Sequence, residues 1–444
     1  MVWIHEGGFV KGSKNKFNGT ILASEGVIVV SINYRLGPLG YFSTEDDTIP
    51  GNYGMLDQIA ALKWVQKNIA AFGGDPSSVT IFGCSAGGDS VSFLLHSPLA
   101  RGLFARAIIE SGTSGTSCAI PPPGGLVSQK SIALFAGRNL GCSQKPGAEF
   151  LACLQNATVD KFYNASIKAP FALGDESTMK WRPRVETTFG SLPDYPLRLR
   201  ERGDFAHVDT IRGFNSQEFG NKISDPEDDG LTKEEFRDVV RDKLRDFPYL
   251  DKDAYLKRIE NIYLENVTDP FEIRNKTIDM ATDFRFRLPI IRETQFSRRH
   301  NQNSSSYLYQ FNYRPSYVHS PSWRGVVHAT ETLLVFGFAT RPTVNWPPSH
   351  SPDDDRVSSM LRGMWTNFAQ TRNPTLGHWR HNSSLIHWAK FYTTKPNYLL
   401  IGRDLEVNHL DMSDHSMDER LLDLYEDTEK EYLKAIEADS VVVG

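Results

Sequence analysis

The sequence predicts an α/β fold in which an open, mostly parallel, twisted sheet carries helices on both faces. Three observations support this fold class. Short apolar segments rich in β-branched residues recur along the first half of the chain, and a helical pattern or a glycine-rich turn follows most of them. Strands that alternate with helices are typical of parallel sheets. A hydrophobic fraction of 40% in 444 residues is ordinary for a globular protein with a large core.

Five strands can be placed in chain order from the apolar segments. They cover residues 1–5, 26–34, 78–82, 106–111 and 208–214. Between the second and third strands, apolar residues recur at helical spacing, and two consecutive glycines end the helix. The periodic residues are Leu56, Ile59, Leu62, Val65 and Ile69. A second helix is expected directly after the third strand, in the segment "DSVSFLLHS".

The middle of the chain is more polar, and one segment there imitates a calcium-binding loop. Acidic residues fill the early positions, but the twelfth position is Phe236, where a bidentate glutamate is required. We therefore predict a helix instead, with Thr232 and Glu235 as its capping box. A second capping box, Ser416 with Glu419, is expected to open an amphipathic helix near the C-terminus.

The charge and hydropathy of the chain argue against nucleic acid as a partner and against a membrane-spanning segment. The net charge of −5 comes from mixed signs without a basic stripe, which argues against nucleic acid. No run of 18 apolar residues is present, so no membrane span is predicted. We expect one domain that occupies residues 1–444.

Two features point to a secretory compartment. Seven sequons for N-glycosylation are present, at Asn18, Asn156, Asn164, Asn266, Asn275, Asn303 and Asn382. Cys142 and Cys153 lie close enough along the chain to form a disulfide worth about 3 kcal/mol, and two reduced thiols are the alternative. The first residues do not form a signal peptide. A secreted or ER-lumen protein is predicted, with its leader in a segment upstream of this sequence.

Ser85 is the candidate nucleophile. It lies in "FGCSAGGDS", where the pattern Gly-x-Ser-x-Gly joins the third strand to the following helix. A sharp strand-to-helix turn exposes the serine hydroxyl above the sheet edge, and the helix N-terminus directs backbone N–H groups toward it. A serine in an ordinary glycine-rich turn is the alternative, so the assignment depends on finding its partners.

A serine hydroxyl needs a base to remove its proton and an acid to orient that base. In α/β-hydrolases, whose nucleophile turn has this Gly-x-Ser-x-Gly pattern, the acid follows a later strand and the histidine comes last in the chain. Glu218 lies in the loop after the strand at 208–214, whereas the competing carboxylate, Asp209, falls inside that strand. His328 precedes an apolar helix and is the predicted base. The other histidines considered are His300, His319 and His350.

The oxyanion hole is expected in the glycine-rich loop after the first strand. In "WIHEGGF", Gly7 and Gly8 would supply backbone N–H donors, and the N–H of Ala86 would be the third. A purely structural turn is the alternative. This chemistry requires neither a cofactor nor a metal ion.

Taken together, these segments resemble the type-B carboxylesterase/cholinesterase family of α/β-hydrolases. The matching stretches are "WIHEGGF", "VSINYRLGPLGYF", "GNYGMLDQIAALKWVQKNIAAFGGDPSSVTIFGCSAGG", "FARAIIESG", "GVVHATETLLVFG" and "MWTNFAQTRNPT". The resemblance implies an α/β-hydrolase fold with the family's serine, acid and histidine on Ser85, Glu218 and His328. It also implies a disulfide between Cys142 and Cys153.

Three departures from the family pattern bear on function. Family members carry an N-terminal segment, with further strands, that this sequence lacks. The family's His-Gly-Gly-Gly is His5-Glu6-Gly7-Gly8 here, and a glutamate in a left-handed conformation would cost about 1–2 kcal/mol. The residue before the serine is usually glutamate and is Cys84 here. We interpret Cys84 as a small buried thiol rather than a replacement nucleophile.

Two functions fit the resemblance. The first is a serine hydrolase that cleaves small-molecule carboxylic esters through an acyl-enzyme intermediate. The second is a catalytically inert adhesion or receptor ectodomain, similar to neuroligins or neurotactins, which typically lose a member of the triad. All three triad residues are present here, which favours the enzyme.

Overall fold

The computed structural model describes residues 1–115, 120, 128–172, 181–245, 247–338, 350–375, 387–393, 396–403, 405–409 and 419–442. Within these ranges the strands form one eight-stranded sheet with the order β2-β1-β3-β4-β5-β6-β7-β8. The strands are β1 Val2–Ile4, β2 Val30–Ile32, β3 Thr80–Cys84, β4 Arg106–Glu110, β5 Asp209–Asn215, β6 Ser306–Phe311, β7 Asn397–Ile401 and β8 Leu405–His409. The first seven strands are parallel, and β8 pairs antiparallel to β7. The predicted mostly parallel sheet is confirmed.

Fifteen α-helices accompany the sheet in the described ranges. They are α1 Thr20–Ala23, α2 Gly37–Tyr41, α3 Tyr53–Asn68, α4 Ala86–His96, α5 Gln129–Asn139, α6 Ala148–Asn156, α7 Val159–Ala172, α8 Pro196–Glu201, α9 Lys233–Leu244, α10 Lys252–Leu264, α11 Pro270–Thr282, α12 Leu288–His300, α13 Thr330–Val335, α14 Pro352–Thr371 and α15 Glu419–Val442. A π-helical segment, Asp283–Arg287, joins α11 to α12.

Side chains that alternate along the strands cover the two faces of the sheet. Ile4 and Ile81 pack on one face in a core that includes residues of α3 and α4. Trp3, Phe82 and Trp365 pack on the other face, where α14 supplies the covering side chains. Because successive side chains on a strand point to opposite faces, both faces of these central strands are buried.

Two predicted strands have different boundaries in the structure, and each difference has a physical cause. The second strand was expected over 26–34, but only Val30–Ile32 is strand. In the described part of the chain it pairs with β1 alone, and β1 is itself three residues long. The third strand begins at Thr80 rather than at residue 78, because Pro76–Ser78 form a 3₁₀ turn capped by the Asp75 carboxylate.

The expected capping of α9 is confirmed. The Thr232 hydroxyl accepts the N–H of Glu235, and the Glu235 carboxylate accepts the N–H of Thr232. This reciprocal pair satisfies backbone donors that the first helical turn leaves free. Ser416, expected to open α15, lies outside the described residues.

The structure contains the predicted disulfide and exposes most of the candidate glycosylation sites. Cys142 and Cys153 are joined by a disulfide. Six of the seven sequon asparagines are exposed, and the seventh, Asn382, lies outside the described residues. None of the helices in the described part of the chain is both long and apolar enough to cross a membrane.

Candidate active site

Ser85 lies on a strained turn between β3 and α4. Its φ of 56° and ψ of −127° are rarely adopted by a residue with a side chain. Two hydrogen bonds hold the turn. The N–H of Ser85 donates to Glu110 O at 2.9 Å, and the N–H of Asp89 donates to Ser85 O at 2.7 Å. The chain thus adopts the sharp strand-to-helix turn that the sequence predicted.

The glycines on either side of Ser85 are required by close packing of backbone. A Cβ atom on Gly87 would lie 2.1 Å from Ile4 O, in the adjacent strand β1. A Cβ atom on Gly83 would lie 2.6 Å from the carbonyl of Gly87 and 2.8 Å from Ile4 O. Both glycines of the Gly-x-Ser-x-Gly pattern are therefore needed because the turn packs directly against β1, the strand that leads into the Gly7–Gly8 loop.

Glu218 and His328 meet at the end of β5. His328 Nδ1 is 2.7 Å from Glu218 Oε2, and the Glu218 side chain is completely buried. Because a carboxylate only accepts hydrogen bonds, Nδ1 carries the proton, and Nε2 is the basic nitrogen of the neutral ring. The competing carboxylate, Asp209, is at the opposite end of β5, where Oδ1 accepts the N–H of Ser305. The structure thus brings together the predicted acid and base.

The other three candidate histidines, His300, His319 and His350, lie away from Glu218. His350 Nε2 is 3.0 Å from the carboxylate of Asp355. His300 packs edge-on against Phe205, and His319 is exposed. Among the described residues, none of the three contacts Glu218.

Glu218 makes the imidazole a stronger base than an ordinary histidine. Burial disfavours the imidazolium, but the Glu218 charge and hydrogen bond, with the Glu331 charge behind them, outweigh burial and raise the pKa of His328. Among the described residues no hydrogen bond joins Ser85 to His328.

The three expected oxyanion donors are unpaired. Gly7 has a φ of +123° and Gly8 a φ of +62°, conformations that favour glycine. No atom lies within 4 Å of a Cβ built on Gly8, so the loop borders open space there. In the described part of the chain, the N–H groups of Gly7, Gly8 and Ala86 donate to no protein acceptor. Three free donors are therefore available to a developing negative charge.

Glu6 does not adopt the left-handed conformation that would be costly for a glutamate. It lies outside the left-handed region, which Gly7 and Gly8 occupy instead. The Glu6 side chain is 12% exposed and forms an ion pair with the more exposed Lys16. A cation therefore offsets part of the Glu6 charge beside the oxyanion loop.

Cys84 belongs to a buried acidic cluster that no sequence pattern indicated. One ligand atom each from Cys84, Glu110 and Glu331 lies within 4.8 Å of the others, and all three residues are buried. Trp365 Nε1 donates to Glu110 Oε1 at 2.7 Å. The Asn215 amide donates to Glu331 Oε2, also at 2.7 Å.

This cluster can hold a shared proton. Burial and the Glu331 charge raise the pKa of Glu110 to about 8, and burial and the Glu218 charge raise the pKa of Glu331 to about 7, so the pair keeps a proton near neutral pH. Burial and the same two carboxylates raise the pKa of the Cys84 thiol well above its ordinary value. A protonated thiol is neither a nucleophile nor a good metal ligand. The interpretation of Cys84 as a buried structural thiol is consistent with this environment.

Asn215 connects the acidic cluster to the acid–base pair. Its backbone N–H donates to Glu218 Oε1 at 2.7 Å. Its side-chain amide donates to Glu331 and also to Val327 O, at 2.8 Å, next to His328. The only sequence signal for these residues was position, since Asn215 ends a strand and Glu331 follows His328 by three residues within an apolar helix.

Comparison with known proteins identifies the family. A model of the Carboxylesterase family matches residues 1–420. The chain belongs to the carboxylesterase family. It is 36% identical to liver carboxylesterase of Sus scrofa over 415 residues, which are 90% of this chain and 69% of that protein. It is 37% identical to carboxylesterase 1D of Mus musculus over 417 residues, or 92% of this chain and 70% of that protein. It is 35% identical to carboxylesterase 1E of Rattus norvegicus, with 90% and 70% covered.

Membership in the carboxylesterase family confirms two expectations. The sheet and its helices form an α/β-hydrolase fold, and the protein is a carboxylic-ester hydrolase. The inert ectodomain, which was the alternative, gains no support from these relatives.

Proposed function

We propose that this carboxylic-ester hydrolase acts through an acyl-enzyme intermediate, with Ser85 as nucleophile, His328 as general base and Glu218 as the acid that orients the base. The 2.7 Å contact between His328 Nδ1 and Glu218 carries the proposal. It leaves Nε2 as the basic nitrogen of an imidazole whose pKa is raised by Glu218 despite burial. The strained turn at Ser85 supports the assignment of the nucleophile.

In the first half-reaction, Ser85 Oγ attacks the ester carbonyl carbon while His328 Nε2 takes the hydroxyl proton. The negative charge that develops on the carbonyl oxygen is bound by the N–H groups of Gly7, Gly8 and Ala86. The tetrahedral intermediate collapses, the C–O bond to the alcohol breaks, and the imidazolium returns its proton to the leaving oxygen. The alcohol departs and leaves an ester on Ser85.

In the second half-reaction, water replaces the alcohol. His328 takes a proton from the water as it attacks the acyl carbon, and then returns that proton to Ser85 Oγ as the acyl–oxygen bond breaks. The carboxylic acid is released. Glu218 remains ionised throughout and stabilises the imidazolium, which is the reason that its contact with Nδ1 matters in both steps.

We also propose that the chain is one catalytic domain over residues 1–444, that its substrate is a small-molecule ester, and that it works in a secretory compartment. The compartment is supported by the disulfide and by six exposed sequon asparagines. Deglycosylation followed by mass spectrometry of protein from its native source would test the last point. Absence of glycan at all seven sequons would contradict it.

Reaction with aryl esters and organophosphates tests the mechanism. Ser85→Ala should lower kcat for an aryl ester by about four orders of magnitude or more and abolish organophosphate labelling. Cys84→Ala is the matched control, since it removes the neighbouring sulfur and should leave the label on Ser85. Label on Cys84, or wild-type turnover by Ser85→Ala, would refute the proposed nucleophile.

A further inference from the structure

A cavity lies outside the candidate active site, between the segment after β4, helix α8 and helix α15. It encloses about 390 Å³ of space, part of it open to solvent. Tyrosine and phenylalanine rings line much of it, together with Pro196 and Leu197 of α8. The residues that carry the argument below are Arg200, Glu429 and Tyr432. None of the three belongs to the proposed catalytic site.

Arg200 is a buried cation that forms no ion pair with a carboxylate of the described residues, although its charge acts to lower the pKa of Glu293 and Glu429. Its relative exposure is 3%, and its guanidinium lies against the backbone of Gly115. Nε donates to Pro196 O at 3.3 Å, and the guanidinium carbon lies 5.7 Å from the Phe296 ring centroid. Among the described residues, neither Nη1 nor Nη2 donates a hydrogen bond, and Nη1 is buried. A buried charge left unpaired is costly, and most buried arginines are paired.

The carboxylate that shares the cavity is already engaged. Glu429 Oε2 lies 2.9 Å from Arg292 Nη2 and 3.0 Å from Arg292 Nε. Burial raises the pKa of Glu429, whereas the charges of Arg292 and Arg200 act in the opposite direction. The charges that act on Tyr432 are those of Arg182, Arg198 and Arg200. Positive charge from these arginines therefore reaches this wall of the cavity, beside a carboxylate that Arg292 already pairs.

We propose that this cavity binds a small organic carboxylate with an apolar or aromatic body. The planar guanidinium of Arg200 matches a carboxylate geometrically and would gain the acceptor that it lacks. The aromatic lining would cover the body of the ligand, as in most small-molecule sites, where a few polar groups fix orientation within an apolar wall. The proposal does not depend on the catalytic mechanism, and the site takes the same class of acid that ester hydrolysis releases.

Binding of benzoate to the full chain tests the site. Calorimetry and thermal shift should show saturable binding of benzoate, weaker binding of acetate, and no binding of benzamide, the neutral isostere. Equal affinity for benzamide would overturn the role of the charge. Equal affinity for benzoate, acetate and inorganic phosphate would overturn the role of the apolar lining.

Two substitutions locate the bound benzoate. Arg200→Met should weaken benzoate binding by at least about tenfold, because it removes a charge-assisted pair. Arg202→Met is the matched control, since Arg202 lies at the end of the same helix, is exposed and pairs with Asp194, and its loss should not change affinity. Arg200→Lys, which keeps the charge without the planar fork, should bind with intermediate affinity and covers the case in which Arg200→Met fails to fold. Affinity that is unchanged in both Arg200 variants would place benzoate elsewhere, including the catalytic site, and refute the proposal.

Discussion

The contact between Gly87 and Ile4 makes the position of the Ser85 turn sensitive to a single methyl group. A Cβ atom on Gly87 would lie 2.1 Å from Ile4 O and 2.9 Å from Ile4 C. Both neighbours are backbone atoms of β1, so neither can rotate away as a flexible side chain would. Gly87→Ala must therefore move α4 and its Ser85 turn relative to the strand that carries the Gly7–Gly8 loop.

The size of this displacement follows from the geometry. A close C···O contact is about 3.3 Å, so the backbones must separate by about 1 Å. A misplacement of about 1 Å between reacting groups can lower a rate by about a hundredfold. Overpacking costs about 1–3 kcal/mol, of which alanine's better helix propensity returns at most about 1 kcal/mol. We therefore expect Gly87→Ala to lower kcat about a hundredfold and to reduce the free energy of unfolding by about 1–2 kcal/mol.

Turnover of an aryl ester and denaturant unfolding measure the two quantities. Gly102→Ala is the matched control. Its φ of +77° makes alanine unfavourable by about 1 kcal/mol, but no atom lies within 4 Å of the added Cβ. This variant should lose stability and keep its kcat. Wild-type kcat in Gly87→Ala would show that the position of the Ser85 turn relative to the Gly7–Gly8 loop does not depend on its contact with β1.

Three further variants test the electrostatics and the covalent link. Glu331→Gln removes a charge that helps to raise the pKa of His328, so the acidic limb of the kcat/KM profile, which needs neutral imidazole, should move to lower pH. An unmoved limb would contradict that coupling. Cys153→Ser should lower the free energy of unfolding by about 3 kcal/mol in a denaturant titration, because the disulfide closes a loop with a separation of 11 residues. Glu6→Gln should leave kcat for an aryl ester within about twofold of wild type, because Lys16 already offsets the Glu6 charge, and a tenfold rise would show that the charge reaches the oxyanion.

The sequence was sufficient for those parts of the fold and site that depend on local pattern. Apolar segments followed by helical periodicity predicted the parallel sheet, and a parallel sheet collects its strand ends at one edge. Ser85 and Glu218 both follow strands, so the structure places each of them near that edge. Strand lengths were less predictable, because the length of β2 depends on its partner β1 and not on its own composition.

The remaining parts depend on contacts between distant segments. Glu110, Asn215 and Glu331 are separated by more than 100 residues in each interval, and no local pattern indicates that their side chains meet. Arg200 looks like an ordinary helical arginine in the sequence, and its burial against Gly115 arises only when α8 packs beside the segment after β4. A buried polar group acquires its role from the partners that the fold supplies.

The neutral thiol of Cys84 limits the negative charge in the cluster that it forms with Glu110 and Glu331. Glutamate is the residue that the resemblance leads us to expect before the nucleophile, and the Cys84 sulfur that stands in its place lies within 4.8 Å of a carboxylate oxygen of Glu110 and of Glu331. Two like charges 4.8 Å apart repel by about 3 kcal/mol at an effective dielectric near 20. A third carboxylate would therefore need a second proton or would further destabilise the cluster. With a neutral thiol there, one proton shared by the two glutamates is sufficient, and the single remaining charge of the pair stands behind Glu218 and helps to keep His328 basic.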